Sequence, residues 1–167
     1  MQRKSINKKG SIQDIIFVGI MLLVLGISTL FGFLFVSNIN DQFQSNDIIT
    51  ANGKTASQSL TDNFPGVIDN SFLLLAIGMA LAVLILAALV RVHPIFIPLF
   101  LIGLIFVIFF SGVFSNIYQG IAANPNMIAY SSQLTFTTNI LTYLPLLTGV
   151  FGTLLMIVMY KMWSVQQ

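Results

Sequence analysis

Long apolar runs alternate with polar segments rich in Asn, Gln, Ser and Thr along this chain. The runs occupy 15–36, 71–90, 94–114 and 140–160. Each has about 20 residues, the length a helix needs to cross a hydrocarbon core of roughly 30 Å. A helix on the surface of a soluble domain would show polar positions on every turn, and these runs do not. The pattern predicts an all-α fold: an integral membrane four-helix bundle with two polar outer loops, organised as a single polytopic domain over 1–167. The polar segments predict an outer loop at 38–70, a tight inner turn at 91–93 and a second outer loop at 115–139. Within the first loop, 39–60 suits a short helix. Asn52-Gly53 and Phe64-Pro65-Gly66 read there as turns. In the second loop, Tyr118 and Tyr130 suit headgroup level, where one end of the ring is apolar and the other wet.

The prolines refine the picture. Pro94 suits the first turn of span three, where its missing N–H is not needed. Pro98 is expected to bend span three. Pro145 is expected to kink span four near its outer end and to free a carbonyl within the membrane. At the other end of the chain, Ser11 and Asp14 read as a capping box that starts span one.

Charge sets the orientation. Only 7% of the residues are charged, against 56% hydrophobic, a composition that excludes both a soluble domain and a disordered chain. Arg3, Lys4, Lys8 and Lys9 precede span one, Arg91 lies between spans two and three, and Lys161 follows span four. With both termini cytoplasmic or interior, these six lie inside and only Lys54 lies outside, as the positive-inside rule requires. Arg3, Lys4, Lys8, Lys9, Arg91, Lys161 and Trp163 are the candidate headgroup and topology residues, Trp163 acting as an aromatic anchor beside Lys161. A net charge of +2 is too small to imply nucleic-acid binding.

Small residues mark candidate packing faces. Ser28 and Gly32 in span one, and Gly78 and Ala82 in span two, stand four apart, the spacing that lets two helix backbones approach closely. In span four, Gly149 and Gly152 take part in two such pairs, with Thr153 and Thr148. These contacts serve packing within the chain or a homo-oligomer.

Chemistry-bearing sets are missing. The chain has no cysteine and one histidine, His93, which reads as a polar residue at the interface. Asp14, Asp69 and Arg91 fall at span ends, so the apolar runs themselves hold no ionisable side chain. Intramembrane charge is the usual mark of ion-coupled transport or catalysis. No metal-binding spacing occurs. The reading is therefore no catalytic residue, no cofactor-binding residue, no metal site and no cofactor. A passive pore lined by Ser, Thr and Asn remains compatible with this inventory.

The basic N-terminus, the four apolar spans, the Asn/Gln-rich loops and segments such as Gly112-Val113-Phe114-Ser115-Asn116-Ile117-Tyr118 resemble the small polytopic membrane proteins of viruses with an internal lipid membrane. That resemblance implies a structural protein of the virion membrane, beneath a capsid shell. The expected function is a non-enzymatic structural integral membrane protein, in a cell inner membrane or a virion internal membrane. Its expected partners are the lipid bilayer and other membrane or capsid proteins. The alternative is a pore-forming, holin-like protein or small channel subunit.

Overall fold

A computed structural model describes residues 12–89 and 96–164. Among the described residues, six helices follow in order: α1 Ile12–Ser45, α2 Ala51–Leu89, α3 Phe96–Ala122, α4 Ile128–Ser131, α5 Thr135–Thr142 and α6 Leu144–Ser164. The protein is all-α. Helices α1, α2 and α3 are long and apolar enough to cross a membrane. Helices α5 and α6 together make a fourth such element, bent by 68° at Tyr143.

Two helices extend well beyond a bilayer. At about 1.5 Å per residue, the 34 residues of α1 span about 51 Å and the 39 of α2 about 58 Å. The segment expected to be an outer loop at 38–70 is therefore mostly a two-helix hairpin, with only residues 46–50 left to turn. Asn52-Gly53 is not a turn but the first turn of α2. The Thr50 hydroxyl accepts from Gly53 N–H at 3.3 Å, the bond an N-cap side chain makes to the third helical residue. Phe64-Pro65-Gly66 is not a turn either, because α2 runs straight through it. An interior proline costs a helix about 3 kcal/mol. Packing outweighs that here: Pro65 is buried, and Phe64 stacks on Phe33 of α1 with ring centroids 5.7 Å apart.

The hairpin is held by amide side chains. Asn40 Nδ2 donates to Gln58 Oε1 at 2.9 Å, and Gln44 Nε2 donates to the Lys54 carbonyl at 2.8 Å. Lys54 Nζ donates to the Gln44 carbonyl at 2.8 Å. These pairs put α1 and α2 antiparallel in one register, which Phe33 on Phe64 continues toward the core.

The second expected loop is also largely helical. Leu104, Val107, Ser111, Ser115, Tyr118 and Ala122 are all buried, and their spacing of three or four residues carries α3 two turns past Phe114. A turn follows, in which Asn124 Oδ1 accepts from Asn126 N–H at 3.0 Å. Pro98 sits in the first turn of α3, where its missing N–H breaks no bond, and Pro145 sits likewise in α6. The expected kink of span four is present as the break at Tyr143. Two apolar clusters form the core: Leu22, Leu23, Phe72, Tyr118, Leu141 and Leu144 around the bend, and Leu30, Phe33, Met127 and Leu134 toward the hairpin.

Candidate functional site: a buried carboxylate at the broken span

Asp69 was expected at the end of span two. Because α2 starts at residue 51, it lies instead within the helix, and it is only 5% exposed. Its carboxylate meets the N-terminus of α5. Oδ2 accepts from Phe136 N–H at 2.8 Å, and Oδ1 accepts from Thr137 N–H at 2.7 Å and from the Thr137 hydroxyl at 2.8 Å. Phe136 and Thr137 are the second and third residues of α5, the two donors that a capping side chain normally satisfies. The residue at the cap position itself is Leu134, which has no side chain able to do this. Asp69 thus caps a helix from which it is 67 and 68 residues away in sequence. Its negative charge also faces the positive end of the α5 dipole.

A belt of hydroxyls extends from this point. Thr138 Oγ1 donates its one proton to the Ser131 carbonyl at 3.0 Å, so the Tyr118 hydroxyl, 3.0 Å from Thr138 Oγ1, is the donor of that pair. Ser131 Oγ donates to the Ala122 carbonyl at 3.0 Å, closing α4 onto the end of α3. Ser115 Oγ donates to the Thr142 carbonyl at 2.6 Å and accepts from Gln119 Nε2 at 2.9 Å. Thr142 is the last residue of α5, so Ser115 takes one of the carbonyls set free at the end of that helix. Tyr118 is fully buried among the helices, and Tyr130 packs edge-on against Phe33 at 5.2 Å.

The chemistry available here is fixation. Asp69 has its oxygens engaged by three donors, and no buried side-chain nitrogen or oxygen among the described residues lacks a partner. No group of three or more His, Cys, Asp or Glu that could hold a metal occurs among the described residues.

The residues singled out by sequence fall in three places. Arg3, Lys4, Lys8, Lys9, Ser11, Arg91, His93 and Pro94 lie outside the described residues. Lys161 is exposed in the last turn of α6, and Trp163 belongs to that same turn. Among the small residues, Gly32 faces the Phe64 ring, which would lie 3.7 Å from an added Cβ. Gly149 faces Ile108 at 3.6 Å, and Gly152 lies directly against the Leu104 side chain. Ser28, Gly78 and Ala82 are exposed, and an added Cβ at Gly78 would meet nothing within 4 Å.

Sequence reasoning did not reach Ser131, Thr137 or Thr138, and it missed the buried places of Gly26 and Asp69. Gly26 lies directly against Leu141 and Thr137 of α5, but the residue four further on is Leu30, so a search for paired small residues passes over it. Asp69 shares the buried face of Pro65 and Phe72, at helical spacing. That signal was present, and Pro65 hid it by arguing for a break.

The geometry defines a class: among the described residues, a helical bundle of three helices long and apolar enough to cross a membrane and one bent pair of helices, with a polar helical hairpin beyond them. No family model, curated protein or solved structure matches the chain.

Proposed function

We propose that the protein is a non-enzymatic structural component of a membrane, and that its setting is the internal membrane of a virion. The observation that carries this reading is the use made of its interior polar groups. Asp69, Ser115, Tyr118, Ser131, Thr137 and Thr138 are spent on joining helices to one another. A transport or catalytic site keeps polar groups free to meet a substrate.

The hairpin of α1 and α2 is the part suited to contacts with other proteins, including a capsid shell. It carries Phe43 and Ile48 exposed among polar neighbours, Ile48 at 91%. In this reading Arg3, Lys4, Lys8, Lys9, Arg91 and Lys161 lie on the cytoplasmic or interior side and the hairpin on the opposite side. Arg91 and Lys161 then meet anionic headgroups.

Two measurements test the reading. Purified virions or membranes should contain the chain in high, stoichiometric copy number, and trace copies with an attached activity would overturn it. The chain has no cysteine, so single replacements report sidedness. Ile48→Cys and Asn126→Cys should react with an impermeant maleimide from outside intact cells, and Lys8→Cys should not. Depolarisation of bacteria expressing the chain would move the assignment to a pore-forming protein.

A further inference from the structure

A groove of about 320 Å³ lies among the long apolar helices, lined by α1, α2 and α6 with Leu104 of α3 and Ile140 of α5. It is separate from the polar belt. We propose that this groove binds one acyl chain of a bilayer lipid. The proposal rests on the membrane reading above and adds to it a defined internal lipid site.

Three observations point to a hydrocarbon chain. First, the lining is apolar. Thr148 is its single side chain with a hydroxyl, and that hydroxyl already donates to the Leu144 carbonyl at 2.7 Å. Nothing is left to hold a headgroup, a peptide or ordered water, which needs two or more polar partners. Second, the groove is long and follows the helix axes. Its α2 wall runs from Leu73 to Leu84 and its α6 wall from Leu144 to Leu155. Eleven residues of rise make about 16 Å, half of a hydrocarbon core of roughly 30 Å and so the depth of one leaflet. Third, Ile77 is 51% exposed while also lining the groove, so the groove reaches the surface that lipid covers.

The groove follows from the bend. Ile140 of α5 and Leu144 of α6 line it on either side of Tyr143. Helix α5 packs against α1, α2 and α3, and an apolar space is left beside α6. In a bilayer that space is filled by whatever apolar molecule is abundant, which is a lipid tail.

The test uses the full-length chain. Purified in mild detergent and examined by native mass spectrometry, it should retain about one phospholipid per chain. Ala80→Phe fills the groove from α2 and should reduce retained lipid to background. Leu74→Phe, on the exposed face of α2, should leave it unchanged. Circular dichroism and monodispersity check that both variants fold. The wild-type chain supplies an independent measurement in membranes containing a phospholipid with a photoreactive acyl chain. Label should concentrate on Ala80 and Phe151 over the exposed Leu74 and Leu101. Uniform labelling, retention of the lipid by folded Ala80→Phe, or a disulfide-linked dimer of Ala80→Cys would each overturn the proposal. Release of the chain from membranes by alkaline carbonate would overturn the membrane reading itself, which separates the two failures.

Discussion

Replacing Asp69 measures what the trans-helix cap contributes. Asp69→Ala removes the acceptors of three hydrogen bonds and leaves Phe136 N–H, Thr137 N–H and the Thr137 hydroxyl without them. Loss of a helix cap costs about 0.5–2 kcal/mol, and each buried donor left unsatisfied costs about 1–3 kcal/mol. The hydroxyl can turn to a carbonyl of its own chain, so the two backbone donors dominate. The expected loss is about 3–5 kcal/mol, roughly a fifth or more of the stability of a typical domain. Asp69→Asn keeps one oxygen but turns an amide N–H toward a backbone N–H, and it should cost about half as much. Asp62→Ala is the control, since Asp62 is exposed and accepts only from Gln58 at 2.8 Å. Unfolding of the purified protein by a denaturing detergent gives the order. Leu141 of α5 is fully buried, so maleimide labelling of Leu141→Cys reports whether α5 has left its seat, and it should speed up in the Asp69→Ala background. If Asp69→Ala unfolds with the same midpoint as Asp62→Ala, and Leu141→Cys labels at the same rate with and without Asp69, the cap carries no stability and the reasoning fails.

Gly26→Val should destabilise by about 1–3 kcal/mol, because the new side chain overlaps Leu141, while Gly78→Val on the open face of α2 meets nothing and should be neutral or slightly stabilising, valine being the better helix former. Thermal unfolding in detergent compares the two. Ser115→Ala should lower the midpoint of the same transition, by about 1–3 kcal/mol for the unpaired Thr142 carbonyl. Thr50→Ala should fray the first turn of α2 at about 1 kcal/mol. Amide hydrogen exchange at residues 51–54 should accelerate with little change elsewhere.

Much of the bundle was legible because the membrane imposes a crude rule on length and polarity. The apolar runs at 15–36, 71–90, 94–114 and 140–160 all lie largely within helices of the structure. What stayed hidden was how far those helices continue once outside an apolar environment. The hairpin beyond span one is written in Asn, Gln, Ser and Thr, which favour turns in isolation. It is helical because Asn40, Gln44, Lys54 and Gln58 pair across it, at separations no local reading reaches. The bend in span four was legible from Pro145 alone. Its seat was not, because the cap comes from Asp69 and the carbonyl partner from Ser115, on two other helices.

The polar belt and the apolar groove meet at α5. A straight helix over 135–164 would still begin at Thr135 and need a cap there, and the missing N–H of Pro145 would still leave the Leu141 carbonyl unpaired. Breaking it at Tyr143 gives the first eight residues, Thr135–Thr142, a C-terminal end as well. Each end then exposes backbone groups that a low-dielectric interior will not leave unpaired. The N-terminal end is met by a carboxylate and the C-terminal end by a hydroxyl, a pairing that matches charge to the positive end of the dipole. The displaced mass of α5 fills the space between α1, α2 and α3 on one side of the break, with Gly26 removing the side chain that would obstruct it. On the other side there is no equivalent plug, and the groove remains. A variant that unseats α5 should therefore lose cap and groove together. Asp69→Ala should reduce retained lipid as well as stability, although Asp69 does not line the groove. Retention of lipid at the wild-type level by a destabilised Asp69→Ala chain would show that the two features are independent.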